Sequence, residues 1–504
     1  MRRIVSVLGC SALLWGCQGS KDGPRETADE TGAVHYTGWP SGEVRQGEAD
    51  VVLLGIDDGD QTGQKVDPAG DIDGDGLADL LIAADIHTAG TEKSGAAFLV
   101  YGADLRPEYS LSEASVTFFG EGELDHAGHG LAGLGDLDAD GRGELVVAGY
   151  QNSLSGLERG RLYVYRGTDL LEDGERSLSD APIILEGVDD LDRLGHRVET
   201  AGDVDGDGIP DLVTGAYGAR HQGDKVGAAY LVKGTELLVE GVRSIEEASH
   251  AVLFGESNQD EAGFYVTGAG DLDGDGRDDL VVAAPRADAS YSNNGVVYVV
   301  LAAEIQDGGE FELPLSGGTI RGEGASDECC GLAEVGDVDG DGRSEVIFGA
   351  PLFDDTEFWA GRSYLFSAVT LTAGGSRSVS EADWVLSNDQ RGELVGSSVA
   401  GVGDLNLDGL SDFLVGVPGA SQDHESGGAA GLFFGWGASS VERATLSDAD
   451  VRFYGEQAQG FWGRCVTAVG DANGDGLEDL AFGAPVNPQH ALDGPGSVYL
   501  FYTP

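Results

Sequence analysis

Residues 203–211 read DVDGDGIPD, with four aspartates in nine positions, and versions of this segment occur seven times in the 504-residue chain. The copies start at Asp71, Asp136, Asp203, Asp271, Asp337, Asp404 and Asp471, spaced 65 to 68 residues apart. A period that regular makes the chain an array of one supersecondary unit. Each copy is preceded by a glycine-rich apolar segment, such as GLAGLGD or SSVAGVGD, and followed by an apolar run ending in small residues, such as LVVAGY, VVAAP, VIFGAP or LAFGAP. An alternating strand opened by glycine comes next, as in GAAYLVKG or GSVYLFYT, then a short strand ending near glycine, as in VTFFG at 116–120 and AVLFG at 251–255. No segment holds a long helical period. Four short strands per repeat, seven times over, predict an all-β, seven-bladed β-propeller of four-stranded blades.

The acids have a chemistry of their own. Calcium is a hard cation that takes six to eight oxygens at about 2.3–2.6 Å. In the third copy Asp203, Asp205 and Asp207 alternate, so all three carboxylates can turn inward; Gly208 permits the bend, Ile209 offers a carbonyl, and Asp211 at position nine closes the site. The same positions hold Asp71, Asp73, Asp75 and Asp79; Asp136, Asp138, Asp140 and Glu144; Asp271, Asp273, Asp275 and Asp279; and Asp337, Asp339, Asp341 and Glu345. The last two copies offer Asp404, Asn406, Asp408 and Asp412, then Asp471, Asn473, Asp475 and Asp479. Asp-Gly turns form hairpins without any ion, but alternating acids kept through nearly every copy favour up to seven Ca2+ sites. Magnesium fits less well, because it demands strict octahedral geometry and keeps its waters. Glu144 and Glu345, Asn473, and above all Asn406 with Leu407 in a glycine slot should grade the affinities, with the Asp404 loop the weakest.

The order FG…DxDxDG…GAP resembles FG-GAP repeats, as in the N-terminal propeller of integrin α subunits, across roughly residues 51–503. The resemblance implies calcium loops between the first two strands of each blade, and an adhesion or interaction role. Integrin leg domains and a β-subunit partner are not visible in this sequence, so integrin signalling does not carry over. The repeat frame also predicts ring closure. The chain ends on a third strand, GSVYLFYTP, and begins with an orphan outer strand, so Val51–Gly55 should complete the seventh blade beside Gly496–Tyr502.

Asp and Glu number 89 against 29 Lys and Arg, a formal net charge of −60. That balance excludes binding to nucleic acid through its phosphates and repels an anionic membrane surface. Arg2 and Arg3 precede an apolar run from Ile4 to Trp15, too short to span a bilayer and suited to a signal peptide. Leu14-Trp15-Gly16-Cys17 resembles a bacterial lipobox, although Trp15 departs from the usual small residue. Residues 1–16 are therefore expected to be a signal peptide with Cys17 lipidated, 17–45 a flexible tether, and 46–504 the propeller. The expected location is the bacterial cell envelope, lipid-anchored; periplasmic or secreted protein is the alternative. Cys329 and Cys330 could form a vicinal disulfide or, with Cys465, remain thiols.

No catalytic motif stands out: there is no HExxH, P-loop or GxSxG. The letters GHGLAG at 128–133 precede an acidic loop instead of opening a helix, so they do not bind a dinucleotide. Loops opposite the acidic face are the candidate ligand site, since loops vary while the scaffold repeats. His129, His196, Phe264 and Arg464 each follow a phase-matched glycine, and Phe358–Trp359 and Phe461–Trp462 make aromatic-rich loops. Each has a plain packing explanation too. The expected function is a calcium-binding envelope module that binds a protein or glycan and is not an enzyme. The rivals are a lectin-like propeller and a calcium-dependent polysaccharide-acting enzyme using Arg464 with His129 or His196.

Overall fold

The structure, a computed structural model, describes residues 26–28, 34–36, 42–88, 93–288, 294–322, 330–353, 359–388, 390–421, 424–436, 443–485 and 494–504. The expected signal peptide, Cys17, Cys329 and Phe358 lie outside them. Seven antiparallel sheets follow the seven repeats. The third blade is typical: inner strand Arg197–Gly202, second strand Asp211–Ala216, third strand Ala228–Val232 and outer strand Ala251–Phe254. Inner strands of successive blades lie side by side around the ring, including Cys465–Ala468 of blade seven against Val66–Gly70 of blade one. They line a central channel of about 490 Å³.

Every residue of the second strands Asp79–Ala84, Glu144–Gly149, Asp211–Ala216, Asp279–Ala284, Glu345–Ala350 and Asp412–Val417 is buried. A blade is covered on both faces by its neighbours, so these strands read as continuous apolar runs without alternation. The seams between blades form the core. Val213, Leu231 and Leu253 of blade three, for example, pack on Val266, Leu280, Val282 and Tyr298 of blade four.

Six inner strands end on a glycine with φ between 64° and 78°, from Gly70 to Gly403, and Gly470, two residues past the end of the seventh, has the same conformation. In six blades a bulge sits beside it. The left-handed conformation there turns the chain out of the sheet and into the acidic loop, at a position where a Cβ would be strained.

Ring closure follows the expectation. Val51–Leu54 pairs antiparallel with Ser497–Phe501, Ser497 opposite Leu54 and Leu500 opposite Val51. Val51 and Leu53 then sit in one cluster with Val498 and Leu500 of blade seven and with Leu80, Ile82 and Phe98 of blade one.

Two features differ from the reading of the sequence. Among the described residues, six of the seven blades gain a fifth strand, supplied by the linker between third and outer strands of the next blade and paired in parallel with the outer strand. Gly174–Ser177 does this for blade one and Gly241–Ser244 for blade two. The addition covers an outer edge that would otherwise expose unpaired backbone groups. The chain termini split the corresponding linker of blade seven, so its part falls to Glu43–Arg45, which pairs with outer strand Val451–Tyr454 of blade six. The propeller sheets thus begin three residues inside the stretch expected as tether, because the same edge rule applies there. Residues Glu26–Ala28 and Val34–Tyr36 pair with each other.

The N-terminal segment therefore holds two blades at once. Leu53 is fully buried at the closing seam. Leu53→Ala is expected to cost about 2–5 kcal/mol, read as a lowered midpoint in chemical denaturation with calcium present.

Candidate functional site

The acidic loops are built by their own backbone. In the third loop Asp203 Oδ1 accepts from the amides of Gly206 and Asp207 at 2.8 and 2.9 Å, and Oδ2 accepts from Gly208 at 2.9 Å. Asp205 Oδ1 accepts from Asp207 N and Asp207 Oδ1 from Ile209 N. Where position four is glycine (Gly74, Gly206, Gly274, Gly340, Gly474), its amide reaches the first acid at 2.7–2.8 Å. Those glycines have φ of 76–81°, and Ala139 and Leu407 occupy the same slot at 60° and 58°. A side chain in that conformation is strained by roughly 1–2 kcal/mol, which gives a backbone reason for the sixth loop to differ.

Position nine does more than close a ring of acids. Asp211 is fully buried; its Oδ2 accepts from Val204 N at 3.1 Å and its Oδ1 from Gly234 N at 3.0 Å. One carboxylate thus ties the loop's entrance to the exit of the third strand. Asp79, Asp279, Asp412 and Asp479 repeat both bonds. Glu144 holds Leu137 N at 2.7 Å, and Glu345 holds Val338 N at 2.9 Å and Ala368 N at 3.4 Å. Burial pushes these acids up, Asp79, Asp211, Asp279, Asp412 and Asp479 to about 7, Glu144 to about 7 and Glu345 to about 8, with neighbouring loop carboxylates adding to the push.

Carboxylate oxygens converge in these loops to within 4.8 Å of one another: those of Asp71, Asp73 and Asp79; Asp136, Asp138 and Glu144; Asp203, Asp205 and Asp207; and Asp271, Asp273 and Asp279. An all-oxygen, anionic donor set held in place by backbone amides fits a hard divalent cation. The loops are not equal. Lys233 Nζ lies 2.7 Å from Asp205 Oδ2, so the third loop brings a cation of its own. Asn406 Nδ2 donates to Asp408 Oδ2 at 3.0 Å, and Asn473 Nδ2 to Asp479 Oδ1 at 3.3 Å. The loops are also joined around the ring. Gly143 N donates to Asp71 O, Asp278 N to Asp203 O, Ser411 N to Asp337 O and, across the closing seam, Ala78 N to Asp471 O.

At the opposite face the structure brings three of the expected ligand-face residues together. His196 lies 4.9 Å from His129 and 4.3 Å from Phe264, ring centre to ring centre. Tyr150 and Tyr217 pack into the same group, 5.3 and 4.7 Å from His196. Burial, His129 and Arg197 hold His196 well below the usual histidine range. Arg464 lines the same channel from blade seven and is exposed. Trp359 is exposed on the blade-five loop. Trp462 is not: it is 1% exposed and stacks 4.4 Å from Phe482, so it packs the blade and cannot offer a ligand surface. Phe482 and Phe453 fill the seam beside it, which is why an aromatic is needed there. Cys465 is a buried free thiol, and Cys330 lies in an inner strand.

The reading of the sequence missed one set of positions. Two residues before the phase-matched glycine the backbone is left-handed at Gln61, His126, Arg193, Glu261, Leu394 and Phe461, with φ of 48–60°. Among the described residues this turn repeats in six blades with a different side chain in each. The signal was the offset of two from those glycines, a place where the six residues share no property except this conformation. Arg193 shows its use: its Nη1 donates to Tyr217 Oη at 2.6 Å and its guanidinium lies over the Tyr217 ring.

A family model described as "FG-GAP repeat" matches residues 197–232, 264–300, 333–366 and 466–501, which fall in blades three, four, five and seven. Four of the seven repeats thus match that model. The chain is similar to integrin alpha pat-2 of Caenorhabditis briggsae, 28% identical over 239 residues, covering 44% of this chain and 18% of that protein. Integrin alpha-IIb of Homo sapiens is 32% identical over 154 residues, covering 30% of this chain and 14% of that protein. The chain is thus similar to integrin α proteins over part of its length, and it spans less than a fifth of these relatives. Among solved structures, BBS1N in complex with ARL6DN aligns with a TM-score of 0.44 at 10% identity over 91% of this chain and 94% of that one. Rhamnogalacturonan lyase YesW aligns with a TM-score of 0.37 at 12% identity over 96% and 75%. No helix among the described residues is long and apolar enough to cross a membrane.

The two kinds of acid in a loop separate by substitution. Asp211→Ala leaves two buried amides unpaired, at about 1–3 kcal/mol each, and lowers the melting temperature in EGTA as well as in calcium. Asp207→Ala, on an exposed carboxylate, changes stability in EGTA by less than about 0.5 kcal/mol and removes only the part that calcium adds at that loop.

Proposed function

We propose that the protein is a calcium-stabilised interaction module, exported to the cell envelope and held there by a lipid on Cys17, whose channel mouth binds a protein or glycan. The observation that carries this reading is a division of labour between the two faces. One face repeats a single acidic loop, bonded to itself and to its neighbours. The other repeats a backbone turn but varies the side chain on it. A scaffold that conserves conformation while diversifying side chains suits recognition. The likeness to integrin α proteins supports an adhesive role. The calcium assignment rests on the oxygen donor set, and the anchor on the Leu14–Cys17 segment. We assign the module no catalytic step.

The test uses the calcium-saturated chain, immobilised and screened against purified envelope polysaccharides and surface proteins. A ligand of this module loses at least tenfold in affinity with Arg464→Glu or Trp359→Asn and is unaffected by Asp408→Ala on the acidic face. Ligands that respond equally to both faces, or to neither, contradict the reading.

A further inference from the structure

We propose that the junction of blades one and two holds a first-row transition cation of the zinc class, ligated by Asp85, His126 and His129. The site is chemically distinct from the acidic loops and lies on the opposite face. It stands whether or not the mouth binds a macromolecule.

The three groups come from two neighbouring turns. Asp85 directly follows the second strand of blade one, Asp79–Ala84. His126 and His129 flank the start of the inner strand of blade two, where His129 N donates to His126 O at 3.1 Å. Asp85 Oδ2 lies 3.0 Å from His129 Nδ1 and 3.6 Å from His126 Nδ1. A tetrahedral zinc with bonds of about 2.0–2.1 Å sets its ligand atoms about 3.3 Å apart, and the two measured separations straddle that value.

The second observation is the state of the atoms. Asp85 is 8% exposed, and its Oδ1 is inaccessible and makes no hydrogen bond. His126 Nδ1 is likewise inaccessible and without a hydrogen-bond partner, since 3.6 Å is beyond hydrogen-bond reach. A buried polar atom left unpaired costs about 1–3 kcal/mol. Here His126 Nδ1 is left so, 3.6 Å from Asp85 Oδ2, and a cation shared by that oxygen and the two imidazole nitrogens satisfies it.

The fold does not need this trio. At the position of Asp85 the other blades have Tyr150, Tyr217, Pro285, Pro351, Pro418 and Pro485. At the position of His126 the other described turns have Gln61, Arg193, Glu261, Leu394 and Phe461. Those junctions close without an Asp–His–His set, so closure does not account for it. Two imidazoles and one carboxylate suit zinc, cobalt or nickel, whereas calcium and magnesium prefer oxygen alone. Tyr150 packs against both imidazoles, with ring centres 5.4 and 4.5 Å away, and walls one side. Asp85 and His129 also line the channel, so a fourth position is reachable from it by water or by an oxygen of a bound molecule.

The test uses the untagged exported chain with excess calcium filling the acidic loops. Zinc chloride is titrated by calorimetry, and cobalt chloride by visible absorption, where tetrahedral coordination gives intense d–d bands. The expected result is one equivalent of zinc bound at micromolar Kd or tighter, displacing cobalt. His126→Asn suits the left-handed backbone at that position and removes the imidazole; with His129→Gln it is expected to weaken zinc at least tenfold without shifting the calcium-dependent melt. His221→Ala, on a different loop, leaves zinc binding unchanged. Absence of stoichiometric zinc or cobalt binding overturns the proposal. So does binding that survives His126→Asn and His129→Gln, or that falls equally with His221→Ala.

Discussion

The structure depends on buried carboxylates at the turn between the first two strands of each blade. Position nine of every loop is fully or almost fully buried, and in six of the seven it bonds backbone amides on either side, so a single acid fixes where the inner strand stops and where the third strand must end. The geometry costs electrostatic energy. Two like charges 4.8 Å apart repel by about 3 kcal/mol at an effective dielectric near 20, and the first four loops each bring three carboxylates within that distance. Backbone amides offset part of that repulsion, and burial raises the acids' pKa for the remainder. A divalent cation reverses the sign of the problem, because the same oxygens that repel each other become its ligands.

The blades, their order and the closure by Val51–Leu54 were legible because each depends on a strictly periodic signal: acid spacing, glycine placement and the apolar second strand. The fifth strands were not. Gly241–Ser244 and Glu43–Arg45 are short and polar, and they pair because a neighbouring edge is open; that is a tertiary reason with no local pattern. The loop acids were legible as a set, but the two roles within it were not, since Asp207 and Asp211 are the same letter. Only burial separates the exposed acid from the one that holds Val204 and Gly234.

The mouth illustrates the opposite limit. His129, His196 and Phe264 were found by phase and do meet, but Trp462 was drawn in by composition alone and lies inside the blade-seven seam. Asp85, His126 and Arg193 were overlooked because each is a lone polar residue in a loop. The feature that unites the turn residues is a left-handed backbone two positions before the phase-matched glycine, which sequence does not announce for histidine or arginine. Variation at a fixed backbone position, set against repetition on the acidic face, is the physical basis for proposing the mouth as a recognition surface.

The central claim is that the crowded loop acids are stable because cations belong there. The most direct test is a thermal melt of the chain from residue 42 onward in EGTA and then through a calcium titration, with metal content measured on the same sample. Binding to the folded state alone stabilises by RT ln(1 + [L]/Kd) at each site, about 2.7 kcal/mol at a hundredfold excess over Kd. The account predicts a large rise in midpoint that continues as loops of different affinity fill, with several calcium ions recovered per chain. A midpoint indifferent to calcium, with no metal recovered, would contradict it and leave the aspartates as turn formers.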